Sequence, residues 1–173
     1  MRLKYSEIIP DLEKTYDQMR KNGLEIDLVG NIGNKTKQIG NFFANAFNCD
    51  RIELPSLLRK GGNKTLAKTL NTVYPYFPEP VLRFLAERYK RLYHRDERIL
   101  EENLDLNYLI GNHKSILLTD DNTFTGKTFE GWKNMLNGRI NTSTFAITVT
   151  GDYHPDYSLI DGWRSLEWRP IGM

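Results

Sequence analysis

An α/β domain with an open, mainly parallel sheet flanked by helices is the fold class this sequence predicts. Three observations predict it. Residues 24–46 and residues 116–136 each read as a strand, a glycine-containing polar loop and then a helix. A third stretch, Phe145–Val149 (FAITV), is apolar enough to be a strand covered on both faces.

The elements follow in chain order. Residues Pro10 to Asn22 carry Leu12, Tyr16 and Met19 on one helical stripe, with Pro10 near the start and Gly23 at the stop. Leu24, Ile26 and Leu28 then alternate with Glu25, Asp27 and Val29, which predicts a strand over 24–29. Gly30 to Lys37 is a polar loop, and Ile39, Phe42, Phe43 and Ala46 mark the next helix at i, i+3, i+4 and i+7. Arg51–Leu54 is a short strand cut off by Pro55. Residues 56–71 are basic and locally glycine-rich (Arg59, Lys60, Gly61, Gly62, Lys64, Lys68), and Tyr74–Pro80 is an extended connector. Val81 to Leu104 reads as one long helix with a broken apolar stripe and heavy mixed charge elsewhere, part of a helical insertion over about 63–104. The second strand, Ile116–Thr119, is expected to end at Asp120, and its helix carries Phe129, Trp132 and Leu136 before the stop signal of Gly138.

Composition narrows the function. A chain of 173 residues with 39% hydrophobic and 27% charged residues is an ordinary single globular domain. A net charge of +2 is too small to argue for nucleic acid as partner. No apolar run approaches the length of a membrane span, and the opening residues lack the apolar core of a secretory signal. With a single cysteine, Cys49, no internal disulfide is possible. The expectation is a cytoplasmic protein with no membrane partner. His94, His113 and His154 are isolated in sequence and suggest no metal–histidine site.

The stretch SILLTDDNTFTGKTFEGW, Ser115 to Trp132, carries the chemistry. Two adjacent carboxylates stand at a strand end, and a small polar loop feeds a helix. In an open α/β sheet ligands bind beyond the carboxyl ends of the strands. A helix N-terminus offers unpaired N–H groups and a positive dipole end, which suit a phosphate. Thr123, Thr125 and Thr128 add hydroxyl donors, and Gly126 lets the backbone approach closely. Asp120 and Asp121 suit sugar hydroxyls or a hydrated Mg²⁺. A phosphate, a diol and a metal together describe a phosphorylated ribose. Gly126-Lys127-Thr128 also ends like a Walker A loop, but that pattern needs a glycine where Asp121 stands, and a carboxylate there would repel the phosphates. The plainer alternative is a core strand followed by a polar turn that caps a helix.

The segment ILLTDDNTFTGKT resembles the phosphoribosyl-pyrophosphate (PRPP) signature of the type I phosphoribosyltransferases. The resemblance implies that Asp120 and Asp121 contact the ribose hydroxyls, serve catalysis and help hold Mg²⁺. It implies that Asn122, Thr123, Phe124, Thr125, Gly126, Lys127 and Thr128 wrap the 5′-phosphate. In that family the loop after the first core strand binds pyrophosphate, which here corresponds to Asn31, Ile32, Gly33, Asn34 and Lys35; the alternative is an ordinary turn with its lysines in solvent. A mobile loop that closes over PRPP corresponds to the basic stretch 59–68, with no single cation distinguished. A hood that selects the base is expected from residues 1–23 and 151–173, with Trp163 or Trp168 stacking on a planar ring. Alternatively those aromatics close the edge of the core. A homodimer is a further family expectation.

The activity so implied is displacement of pyrophosphate from C1 of Mg-PRPP by a nitrogen nucleophile, either a nucleobase or another amine. Two features depart from the family pattern. Enzymes for 6-oxopurines carry an acid/base aspartate where Phe124 stands, which leans the acceptor towards a pyrimidine, a non-standard base or another amine. Asn31 and Asn34 replace residues usually basic or glycine, which favours as the alternative a non-catalytic sensor of PRPP or nucleotide with the same fold. A hydrolase using Asp120 as nucleophile would need a D-x-D-x-[TV] arrangement, which Asp120-Asp121-Asn122 does not provide.

Overall fold

The computed structural model describes residues 3–33, 36–59, 81, 98–99 and 104–162. Five parallel strands form its sheet: β1 (Leu28–Ile32), β2 (Asp50–Leu54), β5 (Ser115–Thr123), β6 (Asn141–Val149) and β7 (Tyr157–Asp161), in the order β2-β1-β5-β6-β7. A two-stranded antiparallel ribbon pairs β3 (Leu58–Arg59) with β4 (Arg98–Ile99). The helices are α1 (Tyr5–Lys21), α2 (Lys37–Phe47), the short α3 (Leu106–Ile110) and α4 (Lys127–Leu136).

Alternation along the strands splits the apolar residues between two faces. Val29, Leu117, Phe145 and Ile147 point to one side, where α1 contributes Ile8, Leu12 and Met19 and α2 contributes Ile39 and Phe43. Leu28, Ile116, Leu118 and Ala146 point to the other, where α4 contributes Phe129, Trp132 and Leu136. Phe43 meets Phe145 edge-on at 4.8 Å between ring centroids. Each face is thus sealed by a helix whose apolar stripe faces inward, which gives the sheet hydrophobic cover on both sides.

The winding locates the functional end. From β1 the chain crosses through α2 to β2 on one side, whereas from β5 it crosses through α4 to β6 on the other. The strand order therefore reverses between β1 and β5, and a crevice opens beyond their carboxyl ends. The β1–β5 ladder runs from Leu28↔Ile116 to Asn31↔Thr119, leaving Asp120–Thr123 of β5 projecting past it.

Several boundaries differ from the sequence expectation. The first strand is Leu28–Ile32 rather than 24–29, and Gly30 lies inside it because a Cβ there would stand 2.8 Å from Leu54 and 3.0 Å from Ile116. The first helix starts at Tyr5, not near Pro10, because Glu7 reaches back to accept the Lys4 N–H at 2.9 Å. Residues 5–21, within the segment expected in the hood, form a helix laid across the sheet face with Leu12 and Met19 fully buried. β5 does not end at Thr119, because its ladder with β6 continues to Thr123↔Val149. The single helix expected over 81–104 is not continuous, since Arg98–Ile99 pair as a strand with Leu58–Arg59. β7 and α3 were not expected at all. Apart from residues 81 and 104, the rest of that insertion and of the basic stretch 59–68 lies outside the described residues.

Candidate active site at the carboxyl edge of the sheet

The site is assembled from the two loops that flank the crevice. On the β5 side, Asp120 is half-buried and its Oδ1 accepts the N–H of Asp121 at 2.8 Å. Asp121 is 6% exposed and, by strand alternation, lies on the α2 face of the sheet with Thr119 and Thr123. The two carboxylates therefore leave the strand on opposite faces rather than side by side. Thr119 and Thr123 are both buried, and neither hydroxyl has a hydrogen-bond partner among the described residues.

Asn122 belongs to the strand and not to the loop. Its side-chain oxygen accepts from the hydroxyls of Thr148 at 2.9 Å and Thr150 at 3.1 Å, which ties β5 to β6 instead of facing a phosphate. The loop proper is Phe124 to Gly126. Gly126 is the N-cap of α4, with φ +68, and it makes no side-chain cap. The first N–H groups of α4, at Lys127, Thr128 and Phe129, thus open the helix with no side-chain cap hydrogen bond from Gly126. Lys127 extends sideways to Glu130, 2.8 Å from Nζ to Oε2. Thr125 and Thr128 are half-buried around the same helix start.

The β1 side is arranged differently from its expectation. Asn31 and Ile32 lie within the strand, and both are buried, at 0% and 4% exposure. Ile32 packs into the apolar cluster beneath α4, while Asn31 turns under α2 against Gly40. Both side chains are turned into the core. Gly33, with φ +70, makes the turn and donates its N–H to the Leu54 carbonyl at 2.7 Å. Thr36, the buried N-cap of α2, spends its hydroxyl on the carbonyls of Ile32 and Gly33, both at 3.3 Å, and so braces the turn. Helix α2, like α4, begins with no side-chain cap. Two uncapped helix starts therefore follow the two strands that border the crevice. Asn34, Lys35, Trp163 and Trp168 lie outside the described residues.

The segment after β6, expected in the hood, lies instead against the loop, through Tyr153, which the sequence does not single out. Gly151 packs against the carbonyl of Phe124, and the ring of Tyr153 lies over Gly126 and stacks on Phe129, with centroids 6.1 Å apart at 27°. Its signal was present only as one aromatic among several. Asp156 was also missed. Its Oδ2 accepts the N–H and the hydroxyl of Thr144, each at 2.8 Å, and fixes the entry of β7.

Among the described residues no group of three or more His, Cys, Asp or Glu is placed to hold a metal by itself, and no helix is long and apolar enough to cross a membrane. Asp120 and Asp121 each carry hard oxygen donors of the kind Mg²⁺ takes when waters and ligand phosphates complete its shell.

No protein-family model matches the chain, and no curated protein matches it. Solved structures do. The purine phosphoribosyltransferase of Pyrococcus horikoshii superposes with a TM-score of 0.64 at 10% identity, covering 100% of this chain and 96% of that one. The xanthine-guanine-hypoxanthine phosphoribosyltransferase of Helicobacter pylori gives a TM-score of 0.60 at 10% identity, covering 97% and 93%. A hypothetical protein from Neisseria gonorrhoeae with bound ppGpp gives 0.62 at 12% identity, covering 99% and 92%. The parallel order β2-β1-β5-β6-β7, its helix-covered faces and these superpositions agree: the chain has the α/β fold of the type I phosphoribosyltransferases.

Proposed function

We propose that the protein is a phosphoribosyltransferase that uses Mg-PRPP to ribosylate a nucleobase or another nitrogen nucleophile and releases pyrophosphate. One observation carries the reading. An acidic pair projects from β5 at the point where the sheet reverses its winding, and an uncapped helix start follows it three residues beyond the strand. The α4 N–H groups and the threonine hydroxyls would hold the 5′-phosphate. Asp120 and Asp121 would orient the ribose hydroxyls and hold Mg²⁺, which supplies positive charge to the departing pyrophosphate. The reaction breaks the C1–O bond to pyrophosphate and forms a C1–N bond, with the nucleophile's proton passing to solvent or to a basic group. Positive charge would develop on the ribose ring, as in other oxocarbenium-like displacements, and a carboxylate facing the ring would stabilise that charge. Positioning supplies much of the remaining acceleration.

The acceptor follows from what Phe124 lacks. With no carboxylate at that position, a 6-oxopurine would find no acid/base group in the loop, so a pyrimidine, a non-standard base or an amine fits better. Purified protein with PRPP and Mg²⁺, screened against nucleobases and amines for pyrophosphate release, tests the reading. Acceptor-dependent release supports it, and silence across the panel counts against turnover.

The burial of Asn31 and Ile32 favours one second reading. With these side chains turned into the core, Asn31 and Ile32 could offer a pyrophosphate leaving group their backbone but not their side chains. A PRPP- or nucleotide-sensing protein of the same fold would bind without turnover, and the Neisseria relative was solved with a nucleotide bound. Binding of PRPP without pyrophosphate release distinguishes it.

A further inference from the structure

A helix start that is to receive a phosphate cannot also spend its N–H groups on a capping side chain, and Gly126 has none to offer α4. The same glycine creates a difficulty. In the left-handed region a glycine loop is held by nothing intrinsic, because glycine visits both signs of φ with equal ease. The ordering must come from a neighbour.

The neighbour is the segment that leaves β6. It runs beside the loop beyond the last ladder pair, Thr123↔Val149, as a row of close contacts. Thr150 donates its N–H to the Thr123 carbonyl at 2.9 Å and its hydroxyl to the Asn122 side chain at 3.1 Å. Gly151 follows, so close to Phe124 that a Cβ would lie 1.8 Å from its carbonyl oxygen. Tyr153 ends the row. A Cβ on Gly126 would stand 2.1 Å from Cγ and Cδ2 of the tyrosine ring, so the ring rests directly on the glycine backbone. The ring also stacks on Phe129, which is 1% exposed in the first turn of α4. One rigid planar side chain therefore touches both the N-cap and the first turn of the helix it adjoins.

We propose that Tyr153 is a positioning residue for phosphate binding. Its ring clamps Gly126 and Phe129 so that the first N–H groups of α4 stay aimed at one point. The clamp needs the flat ring and not the phenol hydroxyl, since every contact described is made by ring carbons. This inference rests on the reading of Phe124–Thr128 as a phosphate site, and its test separates the two.

Ribose 5-phosphate is titrated calorimetrically into wild type, Tyr153→Phe, Tyr153→Leu and Tyr153→Ala, each first checked for a cooperative thermal transition. The leucine variant keeps apolar bulk and serves if the alanine variant fails to fold. The expected result is wild-type affinity within about twofold for Tyr153→Phe and a loss of roughly tenfold or more for Tyr153→Leu and Tyr153→Ala, the scale on which a displaced positioning group acts. If turnover is found, KM for PRPP rises in the leucine variant while kcat stays within about threefold, a split that general destabilisation does not produce. Wild type that binds ribose 5-phosphate together with a folded Tyr153→Leu that binds it equally well overturns the positioning role and leaves the phosphate site standing. Wild type that binds neither ribose 5-phosphate nor PRPP overturns both.

Discussion

The side-chain oxygen of Asn31 lies where a methyl group on Gly40 would have to go: a Cβ on Gly40 would stand 1.9 Å from Oδ1 and 2.8 Å from Cγ. Helix α2 can sit this low on the sheet only because position 40 has no side chain. Asn31 is fully buried in the gap so formed, and neither of its polar side-chain atoms has a partner among the described residues.

Gly40→Ala is therefore expected to destabilise the fold by about 2 kcal/mol, the usual cost of overpacking, despite the better helix propensity of alanine. Denaturant unfolding of Gly40→Ala, Asn31→Ala and the double variant checks this. Recovery of much of the loss in the double variant is the expected signature of a direct clash.

Thr119 faces Asn31 across the β1–β5 ladder, and its buried hydroxyl likewise has no partner among the described residues. Thr119→Val keeps the shape and removes the unsatisfied group. It is expected to raise stability by about 1 kcal/mol, read as a higher denaturation midpoint with unchanged slope.

At the opposite, amino end of the sheet, Asp27 ties β1 to β5. Its carboxylate accepts from the N–H groups of Lys114 at 2.9 Å and Ser115 at 3.0 Å and from the Ser115 hydroxyl at 3.2 Å. Burial pushes its pKa up, but these hydrogen bonds and the nearby His113 together bring it below the usual carboxylate value. A carboxylate with a lowered folded pKa contributes stability that is present above its unfolded value and lost as pH falls through the folded one. The expected outcome is that Asp27→Asn loses about 1 kcal/mol at neutral pH, a figure kept small by the group's exposure, and loses less further stability than wild type below about pH 4. Unfolding curves from pH 7 to 3 measure it.

Cys49 neighbours this corner. Burial, then the charges of Asp27 and Asp50, push its thiol pKa up to about 11. Alkylation at pH 8 is expected to run on the order of 100-fold slower than for a free thiol, because the thiolate is the nucleophile. Timed labelling with iodoacetamide, with and without denaturant, reads the difference.

What the sequence disclosed was local periodicity. Phe129, Trp132 and Leu136 recur at helical spacing, and all three are buried, so the strand-loop-helix unit bearing Asp120 was legible. The length of β5 was not. Its last residues are held by ladder partners and threonine hydroxyls on β6, more than twenty positions away, and nothing in TDDNT announces them. β7 was hidden for a related reason: it is a half-exposed edge strand whose entry is fixed by Asp156 reaching back to Thr144. Asn31 reads as a loop residue in the sequence because Gly30 and Gly33 read as turn residues. Gly30 is instead a strand residue under crowding from Leu54, Ile116 and Leu118. Tyr153 carried no spacing signal, since its partner Gly126 precedes it across a whole helix and strand.

On the proposed function, the β5 carboxylates and the start of α4 form one ribose-phosphate site. Calorimetric titration of PRPP with Mg²⁺ into wild type and into Asp120→Asn/Asp121→Asn tests it most directly. The expected result is saturable binding to wild type, with Kd on the order of micromolar, and its loss in a double variant that still folds. A wild type that takes up neither PRPP, ribose 5-phosphate nor nucleotides would contradict it, as would a double variant that binds PRPP as tightly as wild type.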